Sequence, residues 1–299
     1  MQTQSEIRQS ITNRLIESLR EGKIPWRKPW TGIEGPRTPT NLVSKHKYSG
    51  VNVLLTLLAE QHHGWPVSYW GTFNQFRQLG CRIRKGEKAT TIVYWKQIKK
   101  KVEDKNGDTV ERTIPLLKTW SIFNVFQAEG EAVEKFNVKP ELRTFSGVER
   151  TEFDVAVAAT GARIDYGHEL AAYLPFEDRI VMPEEGRFDT FSDFAATLLH
   201  EVGHWSEKRL NWTGSYALNE LRAEISSSFL MSALGVPHSD DLQNVKAYIQ
   251  SWIKSLENDP KFVFQASTAA SRATDYILSF SRPPAENDAD LDAAVASVS

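Results

Sequence analysis

The chain of 299 residues has a single cysteine, Cys81, so no internal disulfide can staple it and no cysteine-rich zinc module can be built from it. Any metal must be held by histidine and carboxylate. Long apolar runs are missing too: the stretch 51–59 falls far short of the ~20 residues needed to cross a bilayer. No basic-then-apolar leader opens the sequence, and a soluble, cytoplasmic protein with no membrane partner is expected. Helix-turn-helix, zinc-finger and basic-zipper patterns are absent, which argues against groove readout of duplex DNA. There is no internal repeat. What is present is an ordinary globular composition, 40% hydrophobic and 25% charged, enough to bury the cores of two domains.

A net charge of -2 conceals a division of sign. Residues 1–140 hold 23 Lys and Arg against 13 Asp and Glu, whereas the remainder holds 13 against 25. A polyanion is the natural partner of the first half, and a different task falls to the second.

Hydrophobic period places the elements. Ile7, Ile11, Leu15 and Leu19 recur every fourth residue before Gly22 and Pro25, which predicts an opening helix with a core-facing stripe. Residues 25–40 carry four prolines and two glycines and read as a loop. Helices are predicted over 51–62 and 72–79, with Thr72 as N-cap, followed by strands over 82–85, 91–95 and 119–127 and a hairpin signal at Asn106-Gly107. A polar stretch with Pro140 and Gly147 marks a linker. Further on, a helix over 153–160, strands over 171–174 and 179–182, and helices over 192–209 and 217–234 are expected. The fold class predicted is α+β: a first domain over 1–135, a linker over 136–150, a second domain over 151–282 and a frayed tail over 283–299.

His200-Glu201-Val202-Gly203-His204 is an H-E-x-x-H motif on a predicted helix, the context the motif requires. Its two histidines, one turn apart, project from one face and can take adjacent corners of a zinc tetrahedron. Glu201 beside them is placed to take a proton from water activated by the metal and pass it to a leaving amine. Glu220 and Glu224 lie one turn apart on the next helix, and either completes a two-His, one-Glu site. Glu224, twenty residues after His204, has the spacing of thermolysin-type peptidases and is expected as the third ligand, with Glu220 orienting a histidine. Tyr216 is a candidate hydrogen-bond donor to an oxyanion. Zn2+ suits these donors, and Mn2+ is compatible with them. The strand at 179–182 is expected to be the edge that pairs with an extended protein substrate.

Six of the nine tryptophans fall in the first 120 residues, several beside positive charge. Aromatic faces stack unpaired bases while Lys and Arg neutralise phosphates, so single-stranded DNA is the expected partner. The candidate contacts are Trp26, Arg27, Lys28, Trp30, Lys45, Lys47, Tyr48, Arg84, Lys85 and Lys88. Core roles are expected for Trp65, Trp70, Trp95 and Trp120.

The string Ile24-Pro25-Trp26-Arg27-Lys28-Pro29-Trp30, then Tyr48-Ser49-Gly50-Val51-Asn52-Val53-Leu54-Leu55, Gly71-Thr72-Phe73-Asn74-Gln75 and Arg84-Lys85-Gly86-Glu87-Lys88, resembles the N-terminal domain of the plasmid-borne ArdC antirestriction family. The His200–His204 motif with 220–230 resembles the peptidase-like domain that follows it in that family. The resemblance implies a single-stranded-DNA-binding domain, a zincin-like metallopeptidase domain and protection of incoming conjugative DNA. Carried over residue by residue, the ligands are His200, His204 and Glu224, with Glu201 as base. Two readings follow: a zinc peptidase recruited to DNA, or a non-proteolytic coat on the strand with a structural metal site. A metal-dependent nuclease is disfavoured, since no carboxylate cluster for two metals is evident.

Overall fold

The opening helix begins where the sequence offers a cap. Thr3 accepts the Glu6 amide while the Glu6 carboxylate accepts the Thr3 amide, and the helix runs over Gln4–Arg20 (α1) with Ile7, Ile11, Leu15 and Leu19 buried. This computed structural model describes residues 3–27, 36–103, 109–134, 136, 147–239 and 243–282. Most of the expected linker and the whole expected tail lie outside them.

After α1 come β1 (Thr40–Asn41), α2 (Val51–His63), β2 (Tyr69–Gly71), α3 (Phe73–Gln78) and β3 (Arg82–Ile83). A long hairpin follows, β4 (Thr90–Glu103) and β5 (Thr109–Asn124), paired antiparallel from Thr90↔Ile122 to Glu103↔Thr109. The strands thus meet as Asn106-Gly107 predicts, although 104–108 lie outside the described residues. The strand expected at 82–85 shrinks to β3, which pairs with β6 (Ala128–Glu129) rather than with β4. Strands β1, β2, β5 and β4 form one sheet in that order.

The second half contains α4 (Glu131–Glu134), α5 (Gly147–Ala159), β7 (Arg163–Tyr166), β8 (Ala172–Leu174), β9 (Arg179–Met182), α6 (Phe191–Arg209), α7 (Tyr216–Leu234), α8 (Gln243–Asn258) and α9 (Phe262–Ser279). Strand β7 and helices α8 and α9 were not anticipated from the sequence. Because β7 pairs parallel with β9 on one side and β8 antiparallel on the other, β9 is the central strand. The expectation that 179–182 is a free edge is therefore corrected. The free edge beside α6 belongs to β8.

One core joins the two halves. Ile11, Leu15, Trp26, Leu54 and Val93 are buried together with Leu221, Ile225, Trp252, Val263 and Ala270. The Gly50 amide donates to Ser271 Oγ at 2.8 Å, and Thr12 Oγ1 donates to the Pro260 carbonyl at 3.1 Å across the same boundary. A second core lies under the β7–β9–β8 sheet, where Ile180, Met182, Phe194, Leu198, Val202 and Leu230 meet. Trp65 and Trp70 are buried as expected, the Trp70 indole donating to Glu60 at 2.9 Å. Trp95 is 45% exposed and so is not a core residue, whereas Trp120 is half-buried and packs against the cluster of Trp65, Trp70, Ile92 and Ile122.

Candidate metal centre

Helix α6 is capped by Thr190, whose hydroxyl accepts the Asp193 amide, and α7 by Ser215, whose hydroxyl accepts the Leu218 amide. The two pack closely because position 203 has no side chain. A Cβ at Gly203 would lie 2.7 Å from Ser226 Oγ and 3.3 Å from Ala223 Cα. Arg222, fully buried on α7, locks this register by donating to the Gly203 carbonyl at 2.9 Å and to Ser206 Oγ at 2.7 Å. The Ala223–Gly203 contact fixes which turn of α7 faces the histidines.

That turn carries Glu220. His200 Nε2 and His204 Nε2 face each other at 3.1 Å, and each lies 3.6 Å from a Glu220 carboxylate oxygen. Tetrahedral ligands at ~2.0–2.1 Å from a zinc ion stand about 3.3–3.5 Å apart, so these spacings fit a single ion between the three donors. Among the described residues, these three are the group whose donor atoms could hold a metal. Glu224 lies on the other side of His200, its carboxylate 3.9 Å from Nδ1. The sequence-based choice of Glu224 as third donor and Glu220 as the orienting residue is thus reversed in this geometry, for the packing of α7 on α6 turns Glu220 toward the Nε2 atoms.

Each imidazole has a carboxylate at its outer nitrogen, and each carboxylate has an arginine behind it. His204 Nδ1 is 3.0 Å from Glu207, which stands 3.6 Å from Arg222. On the other side, Glu224 accepts from the Trp26 indole at 3.4 Å and lies 3.5 Å from Arg27. Such partners fix ring orientation and raise ligand basicity. Burial works to lower the His200 pKa, but Glu220, Glu201 and Glu224 outweigh it and hold it above the ordinary value. Burial raises Glu220, yet the His200 hydrogen bond and the two nearby rings leave it below the usual carboxylate range. Tyr216, exposed at the start of α7, is held above the usual phenol value by the Glu220 charge and then by burial.

Glu201 is 9% exposed and faces β8, where the Tyr173 amide donates to its carboxylate at 2.7 Å. The Glu201 carboxylate thereby lies between the motif helix and the free edge strand. The turn that positions β8 is pinned to α6: Asp178, at φ 48, accepts from Arg209 at 2.8 and 3.0 Å and from the Tyr173 hydroxyl at 2.8 Å. The Arg209 and Tyr173 hydrogen bonds hold the Asp178 carboxyl down at about 2. A depressed carboxylate stabilises the fold above its unfolded pKa and ceases to as pH falls through its folded one. Asp178→Asn is therefore expected to lower stability by about 0.5–1 kcal/mol at neutral pH, a modest figure because a half-exposed pair is screened by solvent. Thermal unfolding of both proteins from pH 7 downward should show the difference shrinking between pH 4 and 2.

Residues 5–126 match the family described as the N-terminal domain of anti-restriction factor ArdC, and residues 151–269 match the zincin-like metallopeptidase family. The crystal structure of the antirestriction ArdC protein from plasmid R388, metal-free, superposes with a TM-score of 0.73 at 33% identity, covering 92% of this chain and 98% of that one. The chain belongs to the ArdC antirestriction family. The Mn(II)-bound structure of the R388 protein is equally similar, with a TM-score of 0.72 over 99% of its length. An Escherichia coli DNA primase TraC is 38% identical over 91% of this chain, which spans 27% of that primase. The uncharacterized protein y4eC of Sinorhizobium fredii (strain NBRC 101917 / NGR234) is 28% identical over 92% of both chains.

Against this ArdC-family frame, the expected DNA contacts scatter. Trp26 has no exposed surface and meets Trp252 edge-on at 5.3 Å, so it cannot stack a base. Its neighbour Arg27 is turned inward to Glu224 rather than outward to phosphate. Both are corrected by tertiary packing, while Lys28 and Trp30 lie outside the described residues. Arg84 is spent on the Phe126 and Ala128 carbonyls and Glu87, leaving Lys85 and Lys88 exposed at the turn before β4. Lys45, Lys47 and Tyr48 line a cleft between the two halves, where burial pushes the Tyr48 phenol up to about 12. Among the described residues no helix is long and apolar enough to cross a membrane. Sequence reasoning missed Glu207, although its place three residues after His204 puts it on the ligand face. His238 Nε2 is buried without a hydrogen-bond partner, and burial with the Arg27 charge pushes its pKa down to about 3.

Proposed function

We propose that the chain is a metal-dependent peptidase coupled to a single-strand-binding lobe, acting on proteins carried by incoming plasmid DNA. The observation that carries the reading is the triangle of His200 Nε2, His204 Nε2 and Glu220 with the Glu201 carboxylate beside it. These three donors would hold Zn2+ or Mn2+, with Glu224 and Glu207 orienting the imidazoles. A divalent ion held there supplies Lewis acidity toward a peptide carbonyl and toward water. Glu201 takes the proton from the attacking water and delivers it to the leaving amine. Strand β8 offers its free edge to an extended segment, so that backbone hydrogen bonds carry affinity and side-chain selectivity is loose. Tyr216, one turn before Glu220, is the phenol available to donate to the carbonyl oxygen as charge develops.

Single-stranded DNA as the partner rests on the basic first half and its aromatics, together with the likeness to an antirestriction protein and to a segment of DNA primases. Peptidase activity on a denatured protein should fall by about 10²–10⁴-fold in Glu201→Gln, the usual worth of a general base, with metal content and DNA affinity unchanged. Equal activity in the two proteins would refute the catalytic role. The non-proteolytic alternative draws on one contact: Glu201 is already engaged by the Tyr173 amide. Protection of transferred DNA that survives Glu201→Gln intact would favour that coat-like role.

A further inference from the structure

The geometry points to the cleft between the two halves, floored by the Tyr94–Trp120 face of the β4–β5 hairpin, as the binding site for an unpaired polynucleotide. This rests on the strand-binding reading above and moves the site away from the tryptophan loop at 25–30. The cleft measures about 1180 Å³, larger than the ~300–1,000 Å³ of small-ligand sites, which suits an extended occupant.

Its floor follows from strand register. Directly opposed residues of an antiparallel pair share a face, and Ile92↔Trp120 and Tyr94↔Lys118 are such pairs. Alternation adds Lys96 and Ile122 to the same side. Tyr94 and Trp120 meet edge-to-face at 5.5 Å, both half-buried, so each keeps ring surface open to the cleft. Lys96 is exposed at the end of this platform, Lys118 lies beside the rings, and Lys47 is exposed on the rim. Aromatic faces flanked by cations on a sheet are what splayed bases and their phosphates require, whereas a duplex keeps its base faces stacked inside. Across the cleft, Arg37 and Arg282 both donate to the Ala233 carbonyl at the C-terminus of α7, placing positive charge where the helix dipole would otherwise repel phosphate. The walls carry two carboxylates, Glu152, which is paired with Arg37, and Asp275, which is not free either.

Fluorescence anisotropy of the full chain with a labelled oligo(dT) tests the assignment. Tyr94→Leu with Trp120→Leu is expected to weaken binding by roughly 30-fold or more, since each lost stack is worth about 5- to 150-fold. Lys96→Glu with Lys118→Glu, changes that spare the buried core, should weaken it and flatten the salt dependence. Cross-linking of an oligonucleotide carrying 5-iodouracil should map to Trp120 or Tyr94. Wild-type affinity in the lysine pair, or cross-links confined to other surfaces, would overturn the cleft while leaving strand binding standing. Failure of the wild-type chain to bind oligo(dT) would overturn both.

Discussion

Glu220→Ala is expected to lower affinity for a divalent ion by roughly a thousandfold, the share of one ligand in a zinc site worth ~10–16 kcal/mol in all. Glu224→Ala should lower it by only about 10- to 100-fold, the usual effect of removing a residue that orients a ligand. The ordering follows from position. Glu220 lies 3.6 Å from both Nε2 atoms, whereas Glu224 lies 3.9 Å from the far nitrogen of His200 alone. Competition with a chromogenic chelator, run with Zn2+ and with Mn2+, measures both constants. A larger loss in Glu224→Ala than in Glu220→Ala would return the third-ligand role to Glu224.

Trp26→Ala is expected to destabilise the fold by about 3–5 kcal/mol, as for a large aromatic removed from a packed interior. The indole is fully buried against Trp252, within the core that both halves share. It also donates to Glu224, so the variant should bind metal more weakly even where it remains folded. Trp26→Phe separates the two effects: it keeps most of the packing, removes the N–H, and should lose little stability but part of the metal affinity. Denaturant titration at fixed pH, beside the chelator assay, reads both. An alanine variant with wild-type unfolding midpoint would place Trp26 outside the core. The first half of the chain thus reaches the candidate metal site directly, through Trp26 and Arg27 on Glu224.

Much of this was legible because its causes are local. The motif helix, its two histidines one turn apart, the cap at Thr72, and the hairpin around Asn106-Gly107 depend on neighbours a few residues away. Strand β7 escaped notice because its four residues, Arg-Ile-Asp-Tyr, carry no clear alternation of burial. Its pairing with β9 is made in space, and it turns an expected edge into a central strand. Trp95 was misjudged for the opposite reason: tryptophan is usually buried, and only the packing around the hairpin leaves this one 45% exposed.

Residue order alone determined that the two imidazoles share one helical face with Glu201 beside them, because 3.6 residues per turn requires it. It also excluded a cysteine-rich metal site, since the chain has one cysteine, and made the first half cationic. Which of two glutamates one turn apart meets the histidines was chosen on spacing as Glu224, but a helix read in isolation presents both on the same side. Tertiary packing decided it, where Gly203 admits Ala223 and Ser226 and Arg222 locks the register, turning Glu220 inward and leaving Glu224 to Trp26 and Arg27. Helical period fixes direction around one axis, and only the contact between two axes fixes height along them.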